Sequence, residues 1–230
     1  MKSKKGSHVG VILSFMIFVV FLVFLFSALQ PALKVEKDKE AILEHITNSI
    51  TESSSDNLII ENVVVDNTDE SDCVRVDKNL DQNLIVKKSP DWTIASYLIQ
   101  GGEIDIKLEG GKFFKIYYSE SIVETLPSSV ICNKITTNYK IGFVNNETVV
   151  FVSKFDDLTN KDYDLLKRDF GVSAGTDFSF SLLDADKILI NQIIMKAPKV
   201  STNIYVNEFP VLYSDENGEI KSGFINVKVW

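Results

Sequence analysis

Hydrophobic and polar positions divide the chain into three stretches with different periods. Val9 to Leu29, VGVILSFMIFVVFLVFLFSAL, carries no ionisable side chain over 21 residues. A helix of that length rises about 32 Å at 1.5 Å per residue, enough to cross the hydrocarbon core of a bilayer. From Lys34 to Thr51 the apolar residues thin to a stripe. Val35, Ile42, Ile46 and Ile50 fall on one helical face, with Lys34, Glu36, Lys37, Asp38, Lys39, Glu40 and Glu44 making up most of the rest. Pro31 stands between the two, where it ends the first helix or only bends a continuous one. Thr51-Glu52-Ser53-Ser54-Ser55-Asp56 is expected to close the helix and form a short polar hinge.

Beyond Asn57 the pattern turns mainly β. Asn57 to Val65, Cys73 to Val76 and Leu84 to Lys87 are expected strands. Ile104, Ile106 and Leu108 alternate with charged residues up to Gly110-Gly111, after which Phe114, Ile116 and Tyr118 alternate again, predicting a hairpin with one wet face. Ile141 to Val144 and Thr148 to Ser153 suggest a second hairpin around Asn145-Asn146. Asn207 to Tyr213 and Ile220 to Val229 suggest a third, around Asn217-Gly218. One helix is expected inside this region, over Lys161 to Phe170. Asp157 to Asn160 offer caps for it, Tyr163, Leu166 and Phe170 share a face, and Gly171 stops it. A strand over Thr176 to Leu182 follows, the two forming a lid on the sheet.

The fold class read from these patterns is α+β. A single N-terminal transmembrane helix continues into an amphipathic stalk helix, followed by a mainly antiparallel β head with one inserted helix. The divisions are a basic tail at 1–8, the transmembrane helix at 9–29, stalk and hinge at 30–56 and the head at 57–230.

Charge adds direction. Lys2, Lys4 and Lys5 precede the apolar run, so the amino terminus is expected to stay in the cytoplasm while the rest crosses outward at the cell membrane. The net charge is −8, and without those three lysines the remainder carries −11. Such a surface repels nucleic acid and anionic lipid, which excludes nucleic acid as a partner. A cleaved secretory signal has a shorter apolar core, about 7 to 15 residues, and a small-x-small site, so retention of the segment is the expectation.

At the same junction, Lys4-Lys5-Gly6-Ser7 resembles the amino-terminal signal of archaeal type IV pilins and archaellins. The resemblance implies a cut between Gly6 and Ser7, a hydrophobic helix kept in the mature subunit, and contacts with other copies or pilin-like subunits through that helix. A long helix with a β-rich head on top is the shape it implies. This chain has Ser7 and Val11 where the family commonly has Gln and an acid. A plain signal anchor, with the lipid bilayer as sole partner of the helix, accounts for the same residues.

Candidate chemistry in the head is sparse. The histidines are His8 and His45, both before the β region, and no HExxH, GxxxxGK or GxGxxG occurs. No catalytic residue, cofactor or metal site is therefore expected. The stretch Asp66 to Asp72 is acidic but misses the EF-hand pattern, with Ser71 at the turn glycine and Asp77 at the bidentate glutamate, and reads as a solvated loop. Cys73 and Cys132 either form a bridge, permitted outside the cell and closing a loop of about 60 residues, or remain two separate buried thiols. Asn146-Glu147-Thr148 is a glycosylation sequon placed at the tip of the second expected hairpin.

Overall fold

The computed structural model describes residues 7–66, 71–78, 80–123, 130–173, 175–193, 203–215 and 217–230, the side chains at 7–8 and 30–38 aside. It opens with α1 (Ser7–Ser54), a 48-residue helix. The segment stays helical through Pro31.

The expected polar hinge at Thr51–Asp56 is absent, because α1 runs to Ser54 and β1 (Ser55–Val65) starts at the next residue. The hydroxyls of Ser49, Thr51 and Ser54 donate to the carbonyls of His45, Thr47 and Ile50 one turn back, at 2.9, 2.9 and 2.7 Å. Hydroxyls that favour a break in an isolated chain are thus used within the helix, and packing of its buried face outweighs their preference for turns.

After β1 come β2 (Cys73–Asp77), β3 (Leu84–Lys88), β4 (Thr93–Ile94), β5 (Tyr97–Gln100), β6 (Glu103–Lys107), β7 (Phe113–Tyr118), β8 (Ile135–Thr136) and β9 (Tyr139–Phe151). Two helices, α2 (Val152–Asn160) and α3 (Tyr163–Asp169), precede β10 (Phe178–Asp184), β11 (Leu189–Ile193), β12 (Tyr205–Ser214) and β13 (Ile220–Val229). Among the described residues these strands form a nine-stranded sheet ordered β11-β10-β13-β12-β9-β1-β7-β3-β4 and a four-stranded sheet ordered β5-β6-β2-β8. Pairing is antiparallel except for the short contacts β9 with β12 and β2 with β8.

Three expectations change. Ile104 to Tyr118 is not a hairpin: β6 pairs with β2 and β5, while β7 pairs with β1 and β3 in the other sheet. Ile104, Ile106 and Leu108 meet Phe114, Ile116 and Tyr118 across a shared core. Folding both apolar faces inward buries more surface than leaving the alternate face of a two-stranded ribbon in water.

The hairpin expected around Asn145-Asn146 is one 13-residue strand, β9. Asn145 and Asn146 sit opposite Ile60 and Ile59 of β1, whose backbone offers a partner that the local turn preference cannot match. A bulge opposite Asn62 takes up the extra residue, and the Asn62 amide donates to the Phe143 carbonyl at 2.6 Å.

The single helix expected at Lys161–Phe170 is a pair. Asp157 to Asn160 lie inside α2, and the cap of α3 is Asp162, whose carboxylate accepts from the Leu165 N–H at 3.0 Å. The third hairpin forms as its sequence suggests, with β12 and β13 paired over their whole lengths.

Among the described residues the core has three parts. Leu43, Ile46 and Ile50 of α1 pack with Phe155, Leu166, Phe178, Phe180 and Val227, so the second half of α1 and the helix pair cover one face of the β10–β13 region. Phe155 meets Phe180 edge-on at 5.3 Å between ring centres. The second part lies between the two sheets, and the third gathers Leu58, Ile60, Ile85, Tyr117, Val149 and Phe151. Inside the second, Tyr118 donates to the Glu61 carboxylate at 3.1 Å.

Candidate functional site

The strongest functional feature is the first half of α1. Val9–Leu29 has a mean hydropathy of 3.1, is long and apolar enough to cross a membrane, and buries none of itself against the other described residues. Phe15, Phe18, Phe21, Phe24 and Phe26 are all more than half exposed. Apolar side chains directed all round a helix find no partner in water. The second half differs by one strip: Leu43, Ile46 and Ile50 face the sheet, while Glu40 and Glu44 stay outside. His45 donates from Nε2 to the Phe170 carbonyl at 2.9 Å, tying the helix to the end of α3.

Of the expected processing residues, Gly6 lies outside the described residues and Ser7 is the first residue of α1. Cys73 and Cys132 are joined by a disulfide, with Cα atoms 5.7 Å apart across 59 positions. The adjoining backbone is fastened independently. The Asp72 carboxylate accepts from the N–H groups of Asn133 and Lys134 at 2.9 and 2.7 Å, and those bonds hold its pKa below the usual carboxylate range. Residues 67–70 of the acidic stretch lie outside the described residues, and Asp66 pairs with Lys140 at 2.7 Å. Asn146 is exposed, but it stands in the middle of β9 and not at a tip.

Tertiary structure brings together groups that sequence spacing does not connect. Arg75 grips the buried Asp105 through two bonds of 2.7 and 2.8 Å, so the expected wet face of β6 carries a covered ion pair. Lys87 is 6% exposed although it reads as an ordinary strand-end lysine. Asp105 could have been singled out only by knowing its partner thirty positions away.

Scans against protein-family models, curated proteins and solved structures find no match to this chain.

Proposed function

We propose that the chain is a single-pass membrane-anchored protein with a cytoplasmic amino terminus and an extracytoplasmic head, working as a type IV pilin-like structural or adhesion subunit and not as an enzyme. One observation carries this reading: a single helix is naked and apolar over its first half and packed into a β-rich body over its second. Such a helix serves as a membrane anchor before assembly, and as a filament core when neighbouring helices replace lipid around it. Lys2, Lys4 and Lys5 support the orientation, and Lys4-Lys5-Gly6-Ser7 supports processing ahead of the helix.

A second reading is a membrane-tethered binding or accessory domain that never enters a filament. Val11 favours it, since an acid at that position is the usual partner for a neighbour's amino terminus in pilins. The two readings separate on intact mass of the mature protein from native membranes. Loss of Met1 to Gly6 is expected for the pilin-like subunit, and an unprocessed chain rejects it. Protease added to intact cells is expected to digest the head under both readings; protection of the head overturns the orientation.

A further inference from the structure

Lys87 follows Ile85 at the spacing that puts both on one face of β3, where Ile85 packs with Tyr117. Its ammonium lies 5.3 Å from the centre of the Tyr117 ring. Among the described residues it makes no hydrogen bond and no ion pair. Burial lowers its pKa, opposed by the more distant charges of Asp215 and Glu219. A long cationic side chain that is nine-tenths buried without a close counter-ion is costly unless something polar meets it.

What it meets is a cavity of about 470 Å³, shared with Asp91, Trp92, Asn217 and Glu219. That size falls in the range of small-molecule sites. Trp92 adopts φ 53, a left-handed conformation that is a genuine outlier for a bulky residue, and leaves 39% of its surface open. The Lys115 ammonium stands 4.1 Å from the centre of the Trp92 ring and pins it. Asn217 and Glu219 come from the far end of the chain, on the turn between β12 and β13. The Asp215 carboxylate accepts from both of their N–H groups at 2.9 Å, so the turn is held by its own bonds. Glu219 also pairs with Lys221 at 3.0 Å.

The cavity wall itself carries one ammonium, Lys87, and two carboxylates, Asp91 and Glu219, the second already paired with Lys221. A strongly anionic ligand would meet the two carboxylates, and a cationic one the buried Lys87 ammonium. An uncharged molecule rich in hydroxyls satisfies both, because each hydroxyl donates to a carboxylate and accepts from an ammonium.

We infer that this cavity binds a neutral saccharide, with the apolar face of a pyranose on the face of the Trp92 ring away from Lys115, Lys87 donating to a ring or hydroxyl oxygen, and Asp91, Asn217 and Glu219 accepting hydroxyl protons. Neither the membrane helix nor filament assembly enters the argument, so it stands whichever reading of the whole protein holds.

The test is isothermal titration calorimetry of the full chain in phosphatidylcholine nanodiscs, which avoids sugar-headed detergents. Cellobiose, maltose and lactose are the neutral probes and glucuronic acid the charged one. Saturable binding of at least one neutral disaccharide is expected at up to about 20 mM, weakened about tenfold by Trp92→Ala and by Lys87→Met. Trp92 is partly exposed, so Trp92→Ala keeps the experiment decisive if Lys87→Met fails to fold. Absence of binding by every neutral probe overturns the inference. So does binding of glucuronic acid alone, or binding that Trp92→Ala leaves unchanged.

Discussion

Ile17 and Ile46 are the same residue on the same helix, yet Ile17 is 64% exposed and Ile46 is 0% exposed. The difference lies in what the two halves of α1 leave polar. Around Ile17 every direction is apolar, so no face is reserved for water, and none of the described residues beyond the helix covers it. Around Ile46, Glu44 and Asn48 keep one side wet, and a single strip is committed to the β10–β13 region. One half is specified for this molecule's own core and the other for a medium.

The widest separation between the halves is expected from matched alanine substitutions. Ile46→Ala should lower the head's stability by about 2–5 kcal/mol, since the vacated volume is enclosed by Phe155 and its neighbours. Ile17→Ala should leave the unfolding midpoint unmoved when both are followed by denaturant titration with near-ultraviolet circular dichroism. Equal losses at the two sites would refute the division of α1.

Charge tests the other half. Phe18→Arg, Val19→Arg, Val20→Arg and Phe21→Arg together should cost about 2.5–3.5 kcal/mol per position, enough to offset the insertion energy of the whole run, and move protein from the membrane fraction to the supernatant, while Glu40→Arg should not. Retention of that fourfold variant in carbonate-washed membranes would mean that the segment does not hold the chain in a membrane.

Smaller effects probe the passage into β1. Ser54→Ala removes the buried hydroxyl bonded to Ile50 and should cost about 1 kcal/mol by thermal or chemical unfolding. A gain in stability would show that the hydroxyl strains the last turn. His45→Ala removes the bond to the Phe170 carbonyl and should cost about 0.5–1 kcal/mol. It should also raise amide exchange at the end of α3, and unchanged exchange there would make the contact incidental.

Sequence patterns were informative wherever the deciding interaction was local. The 21-residue apolar run, the buried face of Tyr163, Leu166 and Phe170, and the hairpin at Asn217-Gly218 could all be read from neighbours a few positions apart. Where a distant strand decided the matter, local signals misled. Asn145-Asn146 has turn chemistry, but the whole of β1 lies alongside and absorbs it into a ladder. Gly110-Gly111 does turn the chain, with Gly110 at φ 79, yet it turns from one sheet to the other. Alternation showed that Ile104 and Phe114 face a core without showing that they face each other. The cavity at Lys87 was illegible for the same reason, since two of its seven lining residues, Asn217 and Glu219, arrive some 130 positions later. The charge of a lysine can be read from its codon, but its burial depends on everything that folds over it.

The direct join between α1 and β1 has a mechanical consequence. A pull along the helix that overcomes the packing of its second half passes to β1 with no slack segment to stretch first. β1 is flanked by β9 along its full length and by β7 from Ile59 to Val64. Hydrogen bonds of an antiparallel ladder lie across the strand, so a lengthwise load falls on all of them in shear and they must fail together. A load along β1 therefore meets the sheet in the direction in which it resists rupture best.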